Sequence, residues 1–268
     1  MATLAQSWDA VARAYDVYWG PRFAPYAEAA IAAVAARAAT LPPGPVLVAA
    51  CGPGRELPAV AAALTGRHVI GLDLSPGMIA LARVRCAGSP WLQAEVADCA
   101  RLADDYGPAA AIVSVFGFQQ LPDPPAALAD WCRALAPGGV AAVCFWPSRA
   151  GDPGPYAVAS PILSKHVESP PSREWEAALP GAVAGAGAEL LADERIAFEM
   201  THESPAAFWD ALVDAGPWQA MKVRGGPAVM ATMRAEFLAA HPPGPIVERP
   251  LARLLVVRRA ADDRPQTR

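Results

Sequence analysis

The residues best suited to bind a ligand in this chain are a glycine-containing turn and two aspartates that follow apolar segments. The turn occupies residues 49–54 and leads from an apolar run into a segment of helical composition. Gly52 and Gly54 let the backbone approach a ligand closely. The free N–H groups of the following helix favour an anionic group such as a carboxylate. A tight connection without any ligand would use the same glycines, so the turn alone does not decide between the two interpretations.

Asp73 and Asp98 each follow a segment that is predicted to be a strand. A carboxylate at the position of Asp73 can accept hydrogen bonds from both hydroxyls of a ribose, as in nucleotide-binding sheets. Asp98 can accept from the exocyclic amine of an adenine. The alternatives are that Asp73 helps Ser75 to cap the next helix and that Asp98 is a surface residue that caps the next helix.

The elements that must position these residues alternate between strand and helix. Helices are predicted to begin at Ser75-Pro76 and at Asp123-Pro124, because serine and aspartate cap helices and proline fits the first helical position. This alternation predicts an α/β fold with a parallel sheet covered on both faces. Short apolar runs predict five strands at residues 46–50, 68–72, 91–96, 110–116 and 140–145.

The two ends of the chain differ from this central region. Residues 1–40 are rich in alanine and aromatic side chains, which predicts helices over the carboxyl edge of the sheet. Further helices are expected from Ser204-Pro205 and over residues 228–240, and residues 196–200 and 254–258 are predicted to be the last two strands, an antiparallel pair. We therefore expect one domain over residues 1–268, with a helical insertion at about residues 150–250 above the sheet.

Several spaced segments together resemble the class I methyltransferases that depend on S-adenosylmethionine (SAM), in particular the ubiquinone- and menaquinone-biosynthesis-like enzymes of small molecules. The resemblance implies a Rossmann-like sheet of seven strands, mostly parallel with an antiparallel last pair, helices on both faces and a helical lid. It also implies SAM as cofactor and S-adenosylhomocysteine (SAH) as product. The segments that carry it are VLVAACGPG, VIGLDLSPGMIALAR, VADCARL and IVSVFGFQQLPDPPAALADWCRALAPGGVAAVCFWP.

The same resemblance implies roles for individual positions. The turn would line the methionine end of SAM, Asp73 would hold the ribose, and Asp98 would meet the adenine amine. The residues expected at the cofactor are Tyr15, Trp19, Ala50, Cys51, Gly52, Asp73, Leu74, Met78, Asp98, Cys99 and Phe116. The residues expected at the substrate are Tyr18, Phe118, Gln119, Trp146 and Phe208, although aromatic side chains of this kind also serve as core.

Two positions depart from the family pattern. Val48 stands where the family usually has an acid, and Ala50 stands where it has the first glycine of the turn. Val48 cannot make a charged contact to the SAM ammonium. Backbone carbonyls and water can still accept hydrogen bonds from that ammonium. Gln119 stands near a position where many relatives carry histidine. The candidates for a catalytic base are His202, His166 and Gln119, each of them weak, because a lone histidine is more often structural and an amide is a poor base.

Two other functions compete with small-molecule methyl transfer. A nicotinamide-binding fold would need a third glycine where the chain has Leu57, so that interpretation is less favoured. A methyltransferase-like protein that binds SAM without transferring its methyl group, either as a cyclase or as a regulator, is compatible with Val48 and Ala50. If the protein does transfer the methyl group, we expect an apolar or aromatic biosynthetic acceptor.

The composition excludes several other classes. The chain of 268 residues has 22 basic and 26 acidic side chains and no long basic run, which argues against a nucleic-acid partner. No apolar run reaches the roughly 18 residues of a membrane span. The five cysteines show no paired spacing, which argues against a disulfide framework and against a metal site. We expect a cytoplasmic monomer or homodimer with a small-molecule substrate.

Overall fold

The computed structural model describes residues 4–147, 154–166, 174–216 and 218–261, with backbone only at residues 220, 221, 223 and 224. Within these ranges the chain forms a central seven-stranded sheet, a separate two-stranded sheet and helices around them. The strands are β1 (Val46–Ala49), β2 (Val69–Asp73), β3 (Leu92–Val96), β4 (Ala109–Val115), β5 (Leu135–Phe145), β6 (Ala188–Ala197), β7 (Met200–His202), β8 (Ile246–Glu248) and β9 (Leu251–Arg259).

The central sheet has the order β3-β2-β1-β4-β5-β9-β6. The first five strands in this order pair in parallel, and β9 runs antiparallel between β5 and β6. The prediction of seven mostly parallel strands with an antiparallel last pair is therefore confirmed. Strand order reverses at β1, where β2 lies on one side and β4 on the other. In open α/β sheets, ligands bind beyond the carboxyl ends of the strands at such a point.

The helices cover both faces of the sheet and extend above its carboxyl edge. The α-helices are α1 (Leu4–Ala35), α2 (Leu57–Ala63), α3 (Pro76–Cys86), α4 (Ala103–Tyr106), α5 (Pro124–Ala134), α6 (Pro155–His166), α7 (Leu179–Gly185), α8 (Pro205–Asp214) and α9 (Gln219–Ala239). One face of the sheet packs against α1, α2 and α3, and the other packs against α5 and α7. A third buried cluster joins α1 to α6, α8 and α9.

The start signals of three helices work as the sequence predicts. The side chain of Ser75 accepts a hydrogen bond from the backbone of Met78, and Pro76 follows it at the start of α3. Asp123 and Ser204 do the same at the starts of α5 and α8. These caps fix the residue at which each helix begins.

Two strand positions differ from the prediction. The strand expected at residues 196–200 lies instead at Ala188–Ala197, and Met200 belongs to the small β7–β8 sheet. The fifth strand begins at Leu135 rather than at residue 140, because Leu135 pairs with Ala109 before a register shift. The helix predicted at residues 228–240 is the second part of α9, which is broken at Gly226 with φ 74°.

Within the described ranges, no helix is both long enough and apolar enough to cross a membrane. The five cysteines are free and buried. The same ranges contain no group of three or more histidine, cysteine, aspartate or glutamate side chains arranged to hold a metal ion.

Candidate cofactor and active site

The turn after β1 has an unusual backbone at its first residue. Ala50 has φ 53°, in the left-handed region, and Gly52 and Gly54 have φ 53° and 74°. A left-handed conformation costs an L-residue roughly 1–2 kcal/mol, whereas glycine adopts it freely. Two hydrogen bonds hold the turn in this shape: the Ala50 N–H donates to Cys99 Sγ at 3.2 Å, and the Cys51 N–H donates to the Leu72 carbonyl at 2.9 Å. The turn is therefore anchored to β2 and to the segment that follows β3.

Gly117 compensates for the methyl group that Ala50 brings into the turn. A β-carbon added to Gly117 would overlap the Ala50 Cβ and would lie 3.2 Å from the Ala50 carbonyl oxygen. Phe116, the residue before it, also has a left-handed backbone, with φ 58°. The departure from the family at Ala50 thus fits the fold because the residue that faces it after β4 has no side chain.

Asp73, at the end of β2, is held rigidly by backbone donors. Its Oδ2 accepts from the Gly52 N–H at 2.9 Å, and its Oδ1 accepts from the Ser75 N–H at 2.9 Å. Burial raises the pKa of this carboxyl above its usual range, while these two N–H donors act in the opposite direction. The carboxylate therefore connects the turn after β1 to the start of α3 and has a fixed orientation.

A cavity of about 250 Å³ opens in front of this carboxylate, and we call it the Asp73 cavity. Its floor comes from the turn and the strand ends, its sides from α3 and the segment after β4, and its cover from α1. The lining residues are Leu4, Trp8, Tyr15, Ala50, Gly52, Asp73, Leu74, Met78, Asp98, Cys99, Val115, Phe116, Gly117, Gln120, Leu121 and Pro122. One fixed carboxylate among mainly apolar walls is typical of a site for a small organic ligand.

Asp98 and Cys99 lie in the Asp73 cavity and also have structural partners. Asp98 Oδ1 accepts from the Ala100 N–H at 2.9 Å and so stabilises a turn, but it does not cap the next helix, because α4 begins at Ala103 with Leu102 at its N-cap. The Cys99 thiol donates to the Leu72 carbonyl at 3.4 Å. Burial raises the pKa of Cys99 to about 12, so this cysteine stays a neutral thiol and is not a nucleophile.

A second cavity, of about 220 Å³, lies on the other side of the turn, between α1 and α2. We call it the Glu56 cavity. It shares Tyr15, Ala50, Gly52, Val115 and Phe116 with the Asp73 cavity, so the two are continuous around the turn. Its other lining residues are Gly20, Phe23, Ala24, Ala27, Glu28, Ile31, Cys51, Pro53, Arg55, Glu56 and Ala59. A ligand that crosses the turn would therefore occupy both.

Helix α1 covers both cavities and is fastened by two aspartates. Asp9 Oδ1 accepts from the Ser75 hydroxyl at 2.5 Å and from the Gly77 N–H at 2.7 Å, at the start of α3. Asp16 forms ion pairs with Arg55 at 2.5 Å and with Arg85 at 2.8 Å. Because these partners belong to the cofactor side of the fold, α1 is held in a closed position.

We expect Asp16→Asn to weaken SAH binding and to expose α1 to proteases. The substitution removes the charge between two arginines, and each such pair is worth about 0.2–1 kcal/mol where partly exposed. SAH affinity should fall by about threefold to tenfold, measured by calorimetric titration. Limited proteolysis should cut residues 4–20 faster. Asp210→Asn is a matched control, since it removes the pair of Asp210 with Arg234 between α8 and α9. Equal behaviour of the two variants would contradict a lid role for Asp16.

Several aromatic residues that the sequence places at the ligand lie outside both cavities. Trp19 is buried and donates from its indole N–H to the Ala211 carbonyl at 3.3 Å, so its expected contact with the cofactor is wrong. Phe118 is wrong for a similar reason: it packs on the other face of the sheet with Trp131. Phe208 is enclosed in the buried cluster of α1, α6, α8 and α9.

Tyr18 and Trp146 support the site without lining it. The hydroxyl of Tyr18 is 2.8 Å from His202 Nδ1, beneath α1. Trp146 stacks on Phe116, with ring centroids 3.8 Å apart and planes at 5°. The expectation of direct substrate contact by these two residues is therefore not met in this structure, because each is engaged by a neighbouring aromatic ring or imidazole.

None of the three candidate bases lines either cavity. His202 is fully buried between Tyr18 and Glu248, whose Oε1 is 2.9 Å from His202 Nε2. His166 pairs with Glu236 at 3.0 Å between α6 and α9. The amide of Gln119 donates to the Phe116 carbonyl at 2.5 Å. His202 and His166 are therefore corrected to structural residues, because their ring nitrogens are engaged away from the cavities, and Gln119 is corrected to a residue that supports the Phe116 backbone from outside both cavities.

The structure also adds residues that the sequence reasoning did not place at the site. Trp8 lines the Asp73 cavity and meets Tyr15 edge to face, with centroids 5.6 Å apart. Their spacing of seven residues on one helix indicates a shared face, so this pair was detectable. Glu56 and Gln120 line the cavities from positions just after the turn and just after Phe116. Only the folded chain shows which way these two side chains face.

Comparisons with known proteins agree with this geometry. Residues 46–139 match a family described as a methyltransferase domain. A trans-aconitate 2-methyltransferase from Methylobacterium radiotolerans is 33% identical over 166 residues, which cover 62% of this chain and 54% of that protein. A demethylmenaquinone methyltransferase from Clavibacter sepedonicus is 33% identical over 37% of this chain and 40% of that protein. The chain thus spans about half the length of these relatives or less.

The solved structure of the cyclase SpnF has a TM-score of 0.53 at 19% identity, over 86% of this chain and 80% of that one. At this identity the likeness concerns the fold alone. The sheet order places the turn, Asp73 and Asp98 at the carboxyl edge, and the family match begins at the first strand of that sheet. Residues 46–139 of this chain are thus similar to a methyltransferase domain, and the chain has the fold of such proteins.

Proposed function

We propose that this protein transfers the methyl group of SAM to a small acceptor that is mainly apolar or aromatic. The observation that carries the proposal is the Asp73 carboxylate, fixed by the Gly52 and Ser75 N–H groups at the mouth of a mainly apolar cavity. A fixed carboxylate at the end of β2 suits the two hydroxyls of a ribose. The chain's own residues therefore fit SAM as the cofactor.

The two cavities divide the cofactor between them in this proposal. Leu74 and Met78 would pack against the adenine, and Asp98 would accept from its amine. Asp73 would hold the ribose. The amino-acid end would pass over Gly52 into the Glu56 cavity, because Gly52 lines both cavities. When bound, SAM supplies an electrophilic methyl group on a cationic sulfur.

The protein's part in the reaction would be to position the acceptor and to exclude water. Phe116 and Tyr15 line both cavities and so stand beside the point where the two ends of the cofactor meet. Aromatic faces stabilise a nearby cation. Tyr15 stays protonated, because burial, followed by the charge of Glu56, raises its pKa well above the usual range. It can therefore donate a hydrogen bond at neutral pH but is not a base.

The character of the acceptor follows from the lining of the Asp73 cavity. Leu4, Trp8, Val115, Leu121 and Pro122 are apolar or aromatic members of that lining. Gln120 adds an amide, which orients a substrate without removing its proton. An apolar acceptor whose nucleophilic atom is already deprotonated, or carries a free lone pair, suits such a site best.

Calorimetric titration with SAH, followed by a methyl-release assay, tests this proposal. We expect SAH to bind at micromolar concentrations and methyl transfer to occur with at least one member of a panel of phenols, amines and acidic carbons. Absence of SAH binding would overturn the cofactor assignment. SAH binding with no turnover on any member of the panel would count against methyl transfer and in favour of a protein that uses the fold without the reaction.

A further inference from the structure

We infer that Glu56 is the carboxylate that binds the ammonium group of SAM in this chain, in place of the acid that is missing at position 48. The inference rests on the proposed function, since it assigns a residue to one end of the same cofactor. Position 56 is not the one at which the family usually carries its acid. The turn keeps its fold without an acid at position 48, so the ammonium group needs a counter-charge from another residue.

Position 48 itself offers no such charge. Val48 is fully buried in the cluster that joins the sheet to α1 and α2. It lines neither cavity. A hydrocarbon side chain there stabilises the core through burial but accepts no hydrogen bond. An ammonium group that passes the turn must therefore find its acceptor among the residues of the Glu56 cavity.

Glu56 occupies the position from which a side chain reaches that cavity. It is the residue before α2, two positions after Gly54, and it lines the cavity beside Gly52 and Pro53. The wall that contains Gly52 belongs to both cavities. The carboxylate of Glu56 thus lies in the void that begins at the turn, on the side away from the ribose site of Asp73.

The charges around Glu56 leave its carboxylate available for a ligand. Arg55 and Arg85 are the nearest cations that act on it, and both form ion pairs with Asp16. Arg85 also donates to the Pro53 carbonyl at 2.7 Å. Among the described residues, the donor that meets the Glu56 carboxylate is its own backbone N–H. A ligand cation would be its first full partner.

Burial, aided by the charge of Asp73, raises the pKa of Glu56 to about 7, although its own backbone N–H and the charges of Arg85 and Arg55 act in the opposite direction. A carboxylate that is costly to ionise without a partner gains most when a cation enters. Asp73 faces it from the end of β2, Arg85 from α3, Tyr15 from α1, and Glu28 lines the same cavity from α1.

The test compares two ligands that differ only at the amino-acid end. SAH carries the ammonium, whereas 5′-methylthioadenosine keeps the adenosine and the thioether and lacks the amino-acid group. We expect Glu56→Gln to lower SAH affinity by about tenfold to a hundredfold, as for loss of a charged hydrogen-bond partner, and to change methylthioadenosine affinity by less than about twofold. Calorimetric titration gives both values.

Glu189→Gln is the matched control, because Glu189 lies on β6, lines neither cavity and pairs with Arg258. It should change SAH affinity by less than about threefold. The pH profile gives a second readout that a purely structural role would not move. Below pH 7, wild-type SAH affinity should fall by up to about tenfold per pH unit as Glu56 takes up its proton, and this fall should be absent in Glu56→Gln.

A stability measurement separates charge burial from damage to the fold. The folded-state pKa of Glu56 lies above its unfolded value, so its carboxylate destabilises the folded protein increasingly from about pH 4.5 up to about pH 7. Glu56→Gln should therefore raise the melting temperature at pH 8 and leave it nearly unchanged at pH 4.

Equal losses for SAH and methylthioadenosine, or no loss for SAH, would overturn the role of Glu56. Failure of the wild-type protein to bind SAH at all would instead overturn the proposed function. Since the two failures appear in different measurements, they can be told apart.

Discussion

Asp73→Ala is expected to lower the affinity for SAH by about a hundredfold to several thousandfold. The carboxylate lies in the Asp73 cavity, and two backbone N–H groups fix its orientation. Two ribose hydroxyls donating to this charged acceptor would contribute about 1.5–3 kcal/mol each. The loss exceeds that expected from removing any other ligand contact in the cavity, because the other contacting side chains offer apolar contact or a single hydrogen bond. Calorimetric titration of both proteins with SAH measures it.

Two comparisons separate ligand binding from the structural part that Asp73 also plays. Asp98→Ala removes the other aspartate of the cavity, which caps one turn through Ala100, and should cost about tenfold in SAH affinity. Thermal unfolding without ligand shows how far the loss of the Gly52 and Ser75 contacts loosens the fold. Undiminished SAH binding in Asp73→Ala, or a loss no larger than in Asp98→Ala, would contradict the ribose assignment.

The central part of the fold was predictable because its signals are local. β1 and β4 are short apolar runs, and the structure buries them almost completely. The cap-then-proline pairs mark helix starts through hydrogen bonds to nearby backbone groups, which the sequence alone specifies. The edge strand β6 was misplaced because most of its side chains are exposed or half-buried and it carries several charges. It pairs with β9 alone, so no apolar period marks it.

The candidate site was predictable where it follows strands and only in part where it comes from helices, since Tyr15 of α1 and Met78 of α3 line the Asp73 cavity whereas Trp19 of α1 does not. Ala50, Asp73, Asp98 and Phe116 share the carboxyl edge because parallel strands end together, and all four line the Asp73 cavity. For an aromatic residue on a helix, tertiary packing decides which side of the helix faces the ligand. Trp19 therefore packs in the buried cluster of α1, α6, α8 and α9 and does not line either cavity.

Gly117→Ala is expected to destabilise the protein by about 3 kcal/mol and to abolish measurable SAH binding. The backbone of Gly117 has φ −93° and ψ −33°, which alanine adopts without strain. The whole effect therefore comes from the overlap of the new β-carbon with the Ala50 Cβ. Both residues belong to backbone segments that line the Asp73 cavity, so relief of the overlap must move its wall. Chemical denaturation and SAH titration measure the two losses.

The double variant Ala50→Gly/Gly117→Ala tests whether the overlap with the Ala50 Cβ causes these losses. Removal of the Ala50 methyl group leaves the new β-carbon 3.2 Å from the Ala50 carbonyl oxygen and 3.4 Å from its Cα, contacts that a small shift accommodates. Ala50→Gly alone should lie within about 1 kcal/mol of the wild type, because the relief of the left-handed conformation offsets the greater freedom of glycine in the unfolded chain. The two substitutions should therefore couple by about 2–3 kcal/mol, with SAH binding restored in the double variant. Additive losses would mean that Gly117 is required for another reason. Restored binding would show that Ala50 and Gly117 act as a pair, with the methyl group on one side of the turn exchanged for space on the other.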